Sequence, residues 1–234
     1  AGAGGGGGSL PMQVPRLESL LSTVQPDLPV SPHHLPWDHV KHKVQQYFQE
    51  KLQEQTAQRP LSEEDLHWLA STNKLWGNPN EQQCAPHYTN GEVSYERFNT
   101  YFWRWFEALV LMLASTRLWG HTQPRLVQGF VSDHSVWEKI RHCDAGTFMV
   151  RFSEGLSSTL VVAFCEGGQF KKVRVTVDPG GGTFNTMGAN GRVCTFKSFG
   201  KLVHHFPELR CLYSQPQPIR KDKIFSANDP VTTR

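Results

Sequence analysis

The spacing of hydrophobic and polar positions changes character partway along the chain. From Trp37 onward, Val40, Val44, Tyr47, Phe48 and Leu52 recur at helical intervals and form one apolar stripe. A second helix is predicted after Ser62, which has capping-box spacing to Asp65 and lets Leu61 staple onto Leu66. WGNPN (76–80) reads as a loop. A long helix is predicted over 95–119, with Phe98, Phe102, Trp105, Phe106, Leu109 and Leu113 on one face. Trp103 and Leu111 fall off that face, so this helix is expected to meet neighbours on more than one side. An aromatic stripe at this spacing signals core rather than a cofactor surface. Beyond Gly120 the period shifts. A short helix starts at Ser132 as N-cap, with Val136, Trp137 and Ile140 inward, and three strands follow at 147–153, 159–166 and 169–177. The middle strand is apolar on both faces and is expected to be central. DPGGG (178–182) is a turn, and 197–206 is a helix carrying Phe199, Leu202, Val203 and Phe206 inward. Helix, three-strand meander and helix, with no βαβ alternation, give an α+β class: an antiparallel sheet flanked by two helices, preceded by an all-helical region.

Composition narrows the function classes. Residues 1–36 are rich in Gly and Pro and are expected to be disordered, with His33 and His34 solvated rather than metal-bound. The length of 234 residues fits one or two domains, and a 38% hydrophobic fraction with seven Trp is enough for a substantial core. A net charge of +3 is too weak to argue for nucleic-acid binding. The five Cys form no CxxC pair, so neither a zinc site nor a disulfide framework is supported, and a reducing intracellular compartment is expected. The start AGAGGGGGSL lacks an initiator Met and the features of a signal peptide, which reads as a fragment of a longer chain. No apolar run approaches a membrane span; WFEALVLMLA (105–114) is short and carries Glu107. PGGGT lacks the Gly-Lys-Ser/Thr of a nucleotide loop, and no cofactor is expected.

The stretch HCDAGTFMVRFSEG (142–155) bears two opposed chemical readings. His142-Cys143 followed by Arg151 imitates the His-Cys…Arg signature of protein tyrosine phosphatases, but seven residues separate Cys143 from Arg151, more than in that signature. The alternation of Phe148, Val150 and Phe152 also marks an extended strand, which cannot curl its amides around one anion. The second reading starts from strand parity. Met149, Arg151 and Ser153 share the face opposite Phe148, Val150 and Phe152. A guanidinium there needs a partner. That partner is either an internal carboxylate or an arriving phosphate, whose oxygens suit the guanidinium fork. Ser153, Ser157 and Ser158 in SEGLSST (153–159) are candidate hydroxyl donors, and Phe170, Lys172 and Arg174 share one face of the third strand, with Lys172 a candidate wall of the same pocket.

GTFMVRFSEG resembles the phosphotyrosine-binding strand of SH2 domains, and its Phe-Ser after the Arg is most similar to the STAT family of signal-activated transcription factors. LVQGFVSDHSVWEKI and KSFGKLVHHFPEL resemble that family's two SH2 helices. LRCLYSQPQPIRKDKIF resembles its closing segment, with Ser214 where Pro is usual. VQQYFQEKLQ, LSEEDLHWLASTNKLWG and YFWRWFEALVLMLASTRLWG are similar to the helical linker domain that precedes SH2 there. The resemblance implies a helical linker-type domain over 37–118, an SH2 domain over 119–226 and a tail over 227–234. It implies Arg151 as the bidentate phosphate ligand, Ser153 as an added hydroxyl, and Glu154, Ser157 and Ser158 in the phosphate-binding loop. One position departs from the family. Where the first helix usually opens with Lys or Arg, this chain has Asp133-His134; Asp133 is expected to repel phosphate if it faces the pocket, and protonated His134 to substitute in part. Phe170 replaces the third-strand histidine of ordinary SH2 domains. The function implied is phosphotyrosine-peptide binding within a STAT-like transcription factor, in cytoplasm and on activation in the nucleus, with a phosphorylation-dependent dimer in the full-length protein. No direct contact with nucleic acid or membrane is expected from this segment. The last tyrosine is Tyr213; the resemblance implies that a tail phosphotyrosine and the coiled-coil and DNA-binding regions either fall outside the chain or are lacking from the protein, and that the chain is monomeric without phosphopeptide. An SH2 adaptor without DNA binding and a degenerate SH2 domain with a structural role stay open as alternatives.

Overall fold

In the computed structural model, the described residues are 34–72, 75, 92–178, 180, 182–188 and 190–225. The expectations for 1–33, for the 76–80 loop and for the 227–234 tail lie outside them. The Trp37 stripe becomes α1 (Trp37–Leu52), which buries Val40, Val44, Tyr47, Phe48 and Leu52. After α2 (Glu54–Gln58), α3 (Glu63–Ser71) opens with the expected capping box: the Ser62 hydroxyl accepts from Asp65 N, and the Asp65 carboxylate accepts from Ser62 N. Two short strands not foreseen, β1 (His34–Pro36) and β2 (Glu92–Ser94), pair antiparallel and carry order upstream of Trp37.

The long helix is continuous in path but not in type. α4 (Tyr95–Arg97) passes into a π-helical segment, Phe98–Trp103, and then α5 (Arg104–Thr116). The wider π turn brings Trp103 inward against Tyr47, ring centroids 4.8 Å apart, although its sequence position lies off the apolar stripe. Leu111, the other residue off the stripe, is exposed.

Beyond a 3₁₀ turn at Leu118–Gly120, the expected helix and strands appear as α6 (Asp133–Ile140), β3 (Thr147–Phe152), β4 (Thr159–Glu166) and β5 (Gln169–Val177). β4 is central and buried along nearly all its length. The sheet is wider than the meander. β6 (Phe184–Met187) and β7 (Val193–Phe196) extend one side; after α7 (Phe199–His205), β8 (Cys211–Leu212) and β9 (Ile219–Arg220) extend the other. The order is β7-β6-β5-β4-β3-β8-β9. β8 runs parallel to β3, so the sheet is mixed rather than purely antiparallel. A final turn, α8 (Lys221–Ile224), leads to Phe225, which packs edge-on against Phe199.

One apolar core runs through both the helical region and one face of the sheet. Trp119 stacks on Phe152 at 5.7 Å and meets Phe48 edge-on at 5.3 Å; Phe130 lies 5.5 Å from Trp68 and 4.8 Å from Phe152. The junction is bolted by polar contacts. Buried Arg59 lies 3.5 Å from the Trp119 ring centroid and donates to the carbonyls of Val127 and Gln128, while Asp65 accepts from Phe130 N. Burial, and then neighbouring Arg125, lower the Arg59 pKa to about 9 against the opposing pull of Asp65, so the guanidinium remains charged at neutral pH. The same 127–130 segment bonds to β3 through Gln128 N to Val150 O and Phe152 N to Gly129 O.

Gly129 is the tightest point of this junction. Its φ is +106°, and an added Cβ would lie 2.8 Å from Asp65 Oδ1 and 3.0 Å from Arg59 Nη2. Gly129→Ala is therefore expected to destabilise the fold by about 1–3 kcal/mol, from backbone strain plus the forced movement of a buried pair. Chemical denaturation should show an earlier midpoint at unchanged slope; an unaltered midpoint would contradict this geometry.

Candidate functional site

The site forms where the two faces of the sheet diverge. Phe148, Val150 and Phe152 of β3 enter the large core, whereas Met149 joins Ala163, Cys165, Val136 and Ile140 in a smaller cluster beneath α6. Arg151 continues the Met149 row and is itself buried, 6% exposed. Register places Arg151 opposite Val161, which pairs with Arg174, and Met149 opposite Ala163, which pairs with Lys172. Lys172 thus sits diagonal to Arg151, two strands away.

α6 supplies the third charge. Ser132 caps the helix by accepting from Ser135 N at 3.1 Å, which leaves Asp133 in the first turn, where the helix dipole favours an acid. The Asp133 carboxylate reaches over the sheet and joins both cations: Oδ1 accepts from Arg151 Nη2, and Oδ2 accepts from Lys172 Nζ at 2.6 Å. Arg151 Nη1 donates to the Phe152 carbonyl at 2.7 Å, while its buried Nε–H has no hydrogen-bond partner among the described residues. Burial pushes the Asp133 carboxyl up, but the hydrogen bonds and charges of Lys172 and Arg151 outweigh it and hold the carboxyl below its ordinary value. A depressed acid contributes stability above its unfolded-state pKa and loses it as pH falls through the folded value. The melting-temperature difference between wild type and Asp133→Asn should therefore be present at pH 6 and fade in the acid range below pH ~4. Asp133 is 43% exposed, so the difference will be small and reduced by salt. An offset constant from pH 6 to the acid limit would contradict the pairing.

The structure brings Arg151 and Lys172 together through Asp133, which faces both cations and is their anion in the free chain; this is the direction in which Asp133 is expected to repel phosphate. Of the two partners left open for Arg151, the internal carboxylate is present. Ser153 is buried beside Arg151; its hydroxyl accepts from Leu156 N at 3.1 Å and its carbonyl accepts from Trp105 Nε1 at 3.2 Å. Glu154 and Ser157 are exposed on the loop between β3 and β4. Ser158 does not join the others: at φ +49° its hydroxyl turns to the helical region and donates to Ala108 O of α5 at 3.3 Å. His134 is exposed and makes no hydrogen bond to the cluster among the described residues. Phe170 packs against Trp137, ring centroids 5.7 Å apart. The sequence marks Asp133 as an acid out of place and leaves an internal carboxylate open for Arg151, but the bridge that joins the two depends on how α6 docks on the sheet.

Cys143 lies in the turn after α6, its Sγ 3.5 Å from Lys139 O. Burial, with Asp144 and Cys165 adding to it, raises its pKa, the opposite of what a thiolate nucleophile needs. Among the described residues, no helix is long and apolar enough to cross a membrane and no group of His, Cys, Asp and Glu is arranged to hold a metal.

Residues 128–206 match the SH2 domain family. The chain is also similar to signal transducer and activator of transcription 6 of Homo sapiens, at 24% identity over 170 residues, covering 69% of this chain and 18% of that protein. The chain thus spans about a fifth of the length of the curated relative it matches. The α+β architecture is that of an SH2 domain preceded by a helical region, and SH2 domains are phosphotyrosine-binding modules of signalling proteins rather than catalysts.

Proposed function

We propose that this chain binds phosphotyrosine-containing segments through the Arg151 pocket, as part of a STAT-like signal-transducing transcription factor. The observation that carries the reading is Arg151 itself: a buried guanidinium with an unpartnered Nε–H, opening toward the half-exposed Lys172. A phosphotyrosine brings nearly two negative charges on a stem long enough to reach such a group. Ser153 is buried on the same strand face as the arginine, and Glu154 and Ser157 are exposed on the loop that follows, within reach of a ligand under this reading. The β5 edge supports the same reading. β6 pairs only with Thr176 and Val177, so the outer edge of 169–174 has no strand partner among the described residues and offers an extended peptide a place next to Lys172. The similarity to a signal transducer and activator of transcription favours a transcription-factor context, with capture of a partner's phosphotyrosine as the means of dimerisation and residence in cytoplasm and nucleus. An SH2 adaptor without DNA binding uses the same pocket.

One observation favours a second reading, an SH2 domain retained for structure alone: Asp133 already neutralises Arg151. An array of tyrosine-phosphorylated peptides, probed in parallel with unphosphorylated and serine-phosphorylated versions, separates the two. Selective binding to the phosphotyrosine set is expected. Equal binding to all three sets, or to none, would overturn the proposal.

A further inference from the structure

The geometry points to Asp133 as an internal ligand of the phosphate pocket, a carboxylate that occupies the anion position in the free chain, must swing out before phosphate enters, and so sets the affinity of the site. This inference rests on the phosphotyrosine reading above and adds a residue that governs it.

Three features carry it. Both Asp133 oxygens are committed, one to the buried Arg151 and the other to Lys172, so the carboxylate bridges the two cations a phosphoryl group would need. The bridge is also incomplete. Arg151 Nε–H stays buried and unpartnered, whereas a phosphoryl group offers three terminal oxygens and can replace both carboxylate contacts while reaching a further donor. Finally, the latch is free to open. Asp133 is 43% exposed at the first turn of α6, and a rotation of its side chain moves the carboxylate into water without disturbing the Ser132 cap or the buried Val136 and Ile140. Arg151, fixed within β3, has no comparable freedom.

The exchange is between one monoanion held within the chain and one dianion brought by the ligand. Arg151, Lys172 and Asp133 together carry a net charge of +1 in the free state; moving Asp133 aside exposes both positive charges to the dianion. The carboxylate thus acts as a threshold: weak anions do not displace it, and a ligand that does so gives up part of its binding energy in the exchange.

The test is calorimetric titration of wild type and Asp133→Asn with the best phosphotyrosine peptide from the array, alongside thermal melts. Asn keeps the size and the helix-start preference but removes the charge. The expected result is a Kd at least about tenfold lower for Asp133→Asn, the scale of one or two partly buried charge-assisted contacts. A Kd within twofold of wild type, or a weaker one with the fold intact, would overturn the inference while leaving the phosphotyrosine reading in place. If neither protein binds and both melt normally, the phosphotyrosine reading fails and this inference falls with it. A measurement on wild type guards against a variant that does not fold: the Asp133 side-chain ¹³C carboxyl resonance should move on peptide addition, and a binding titration that leaves it unmoved would contradict displacement.

Discussion

Arg151→Leu is expected to reduce phosphotyrosine-peptide affinity by about two to three and a half decades while the chain stays folded. Removing one partner of a buried charge pair costs roughly 3–5 kcal/mol, and each 1.4 kcal/mol is a factor of ten in affinity. The fold tolerates the change for reasons specific to the site. Leu suits the Met149 row, and the Asp133 carboxylate left behind is half-exposed and keeps Lys172 at 2.6 Å. Arg151→Lys is expected to lose most of the affinity too, because an ammonium lacks the fork that makes two parallel hydrogen bonds to phosphate. Calorimetry with the phosphopeptide, accompanied by circular-dichroism melts, checks both. Arg151→Leu with a Kd within threefold of wild type would remove Arg151 from the site.

Arg59→Met is the second large effect, and it falls on stability. The guanidinium is 4% exposed, stacked on Trp119 and bonded to the Val127 and Gln128 carbonyls. Met fills much of the volume but leaves both carbonyls without a donor and Asp65 without its neighbouring cation. The expected loss is roughly 3–5 kcal/mol. For a domain of this size that corresponds to a fall in Tm of about 6–20 °C. Because one core runs through the helical region and the sheet, unfolding should remain a single transition in wild type, with tryptophan fluorescence and far-UV circular dichroism superimposing. A Tm change under about 2 °C would refute the bolt, and two separated wild-type transitions would refute the shared core.

The elements legible in the sequence were those specified locally. The α1 stripe, the Ser62–Asp65 capping box, the Ser132 cap and the alternation of β3 each depend on residues within a turn or two of one another, and each stands where the pattern placed it. The elements that were missed depend on distant partners. β8 is two residues long and exists because Cys211 and Leu212 lie against Thr147 and Phe148; β1 exists through its pairing with β2. Such short segments carry too little pattern to announce themselves. The π turn at Phe98–Trp103 follows from packing Trp103 against Tyr47 across the helical region, which no single-helix periodicity contains.

The site divides the same way. Strand parity grouped Arg151 with Met149 and Ser153, and Lys172 with Phe170 and Arg174; the register, with Arg151 opposite Val161 and Val161 opposite Arg174, is what sets the two groups on one face. The direction of Asp133 depends instead on how α6 docks on β3 and β4, so its bridge to Arg151, eighteen residues on in the chain, was legible only as a charge out of place. Ser158, expected among the loop donors, has its hydroxyl on Ala108 O in the free chain. Its positive φ turns the hydroxyl toward α5, and a Ser-rich loop gives no sign of which of its serines will do so.

Binding of a phosphotyrosine's phosphate at Arg151, as proposed above, is open to direct observation. The most direct measurement is side-chain ¹⁵N NMR of the arginines during titration with a phosphotyrosine peptide and its unphosphorylated twin. Arg151 Nε–H is buried and unpartnered in the free chain, so its resonance reports directly on an arriving oxygen. A saturable downfield shift of that resonance is expected with the phosphorylated peptide and none with the twin. Saturable binding of the phosphopeptide that leaves the Arg151 resonance where it was would place the phosphate elsewhere.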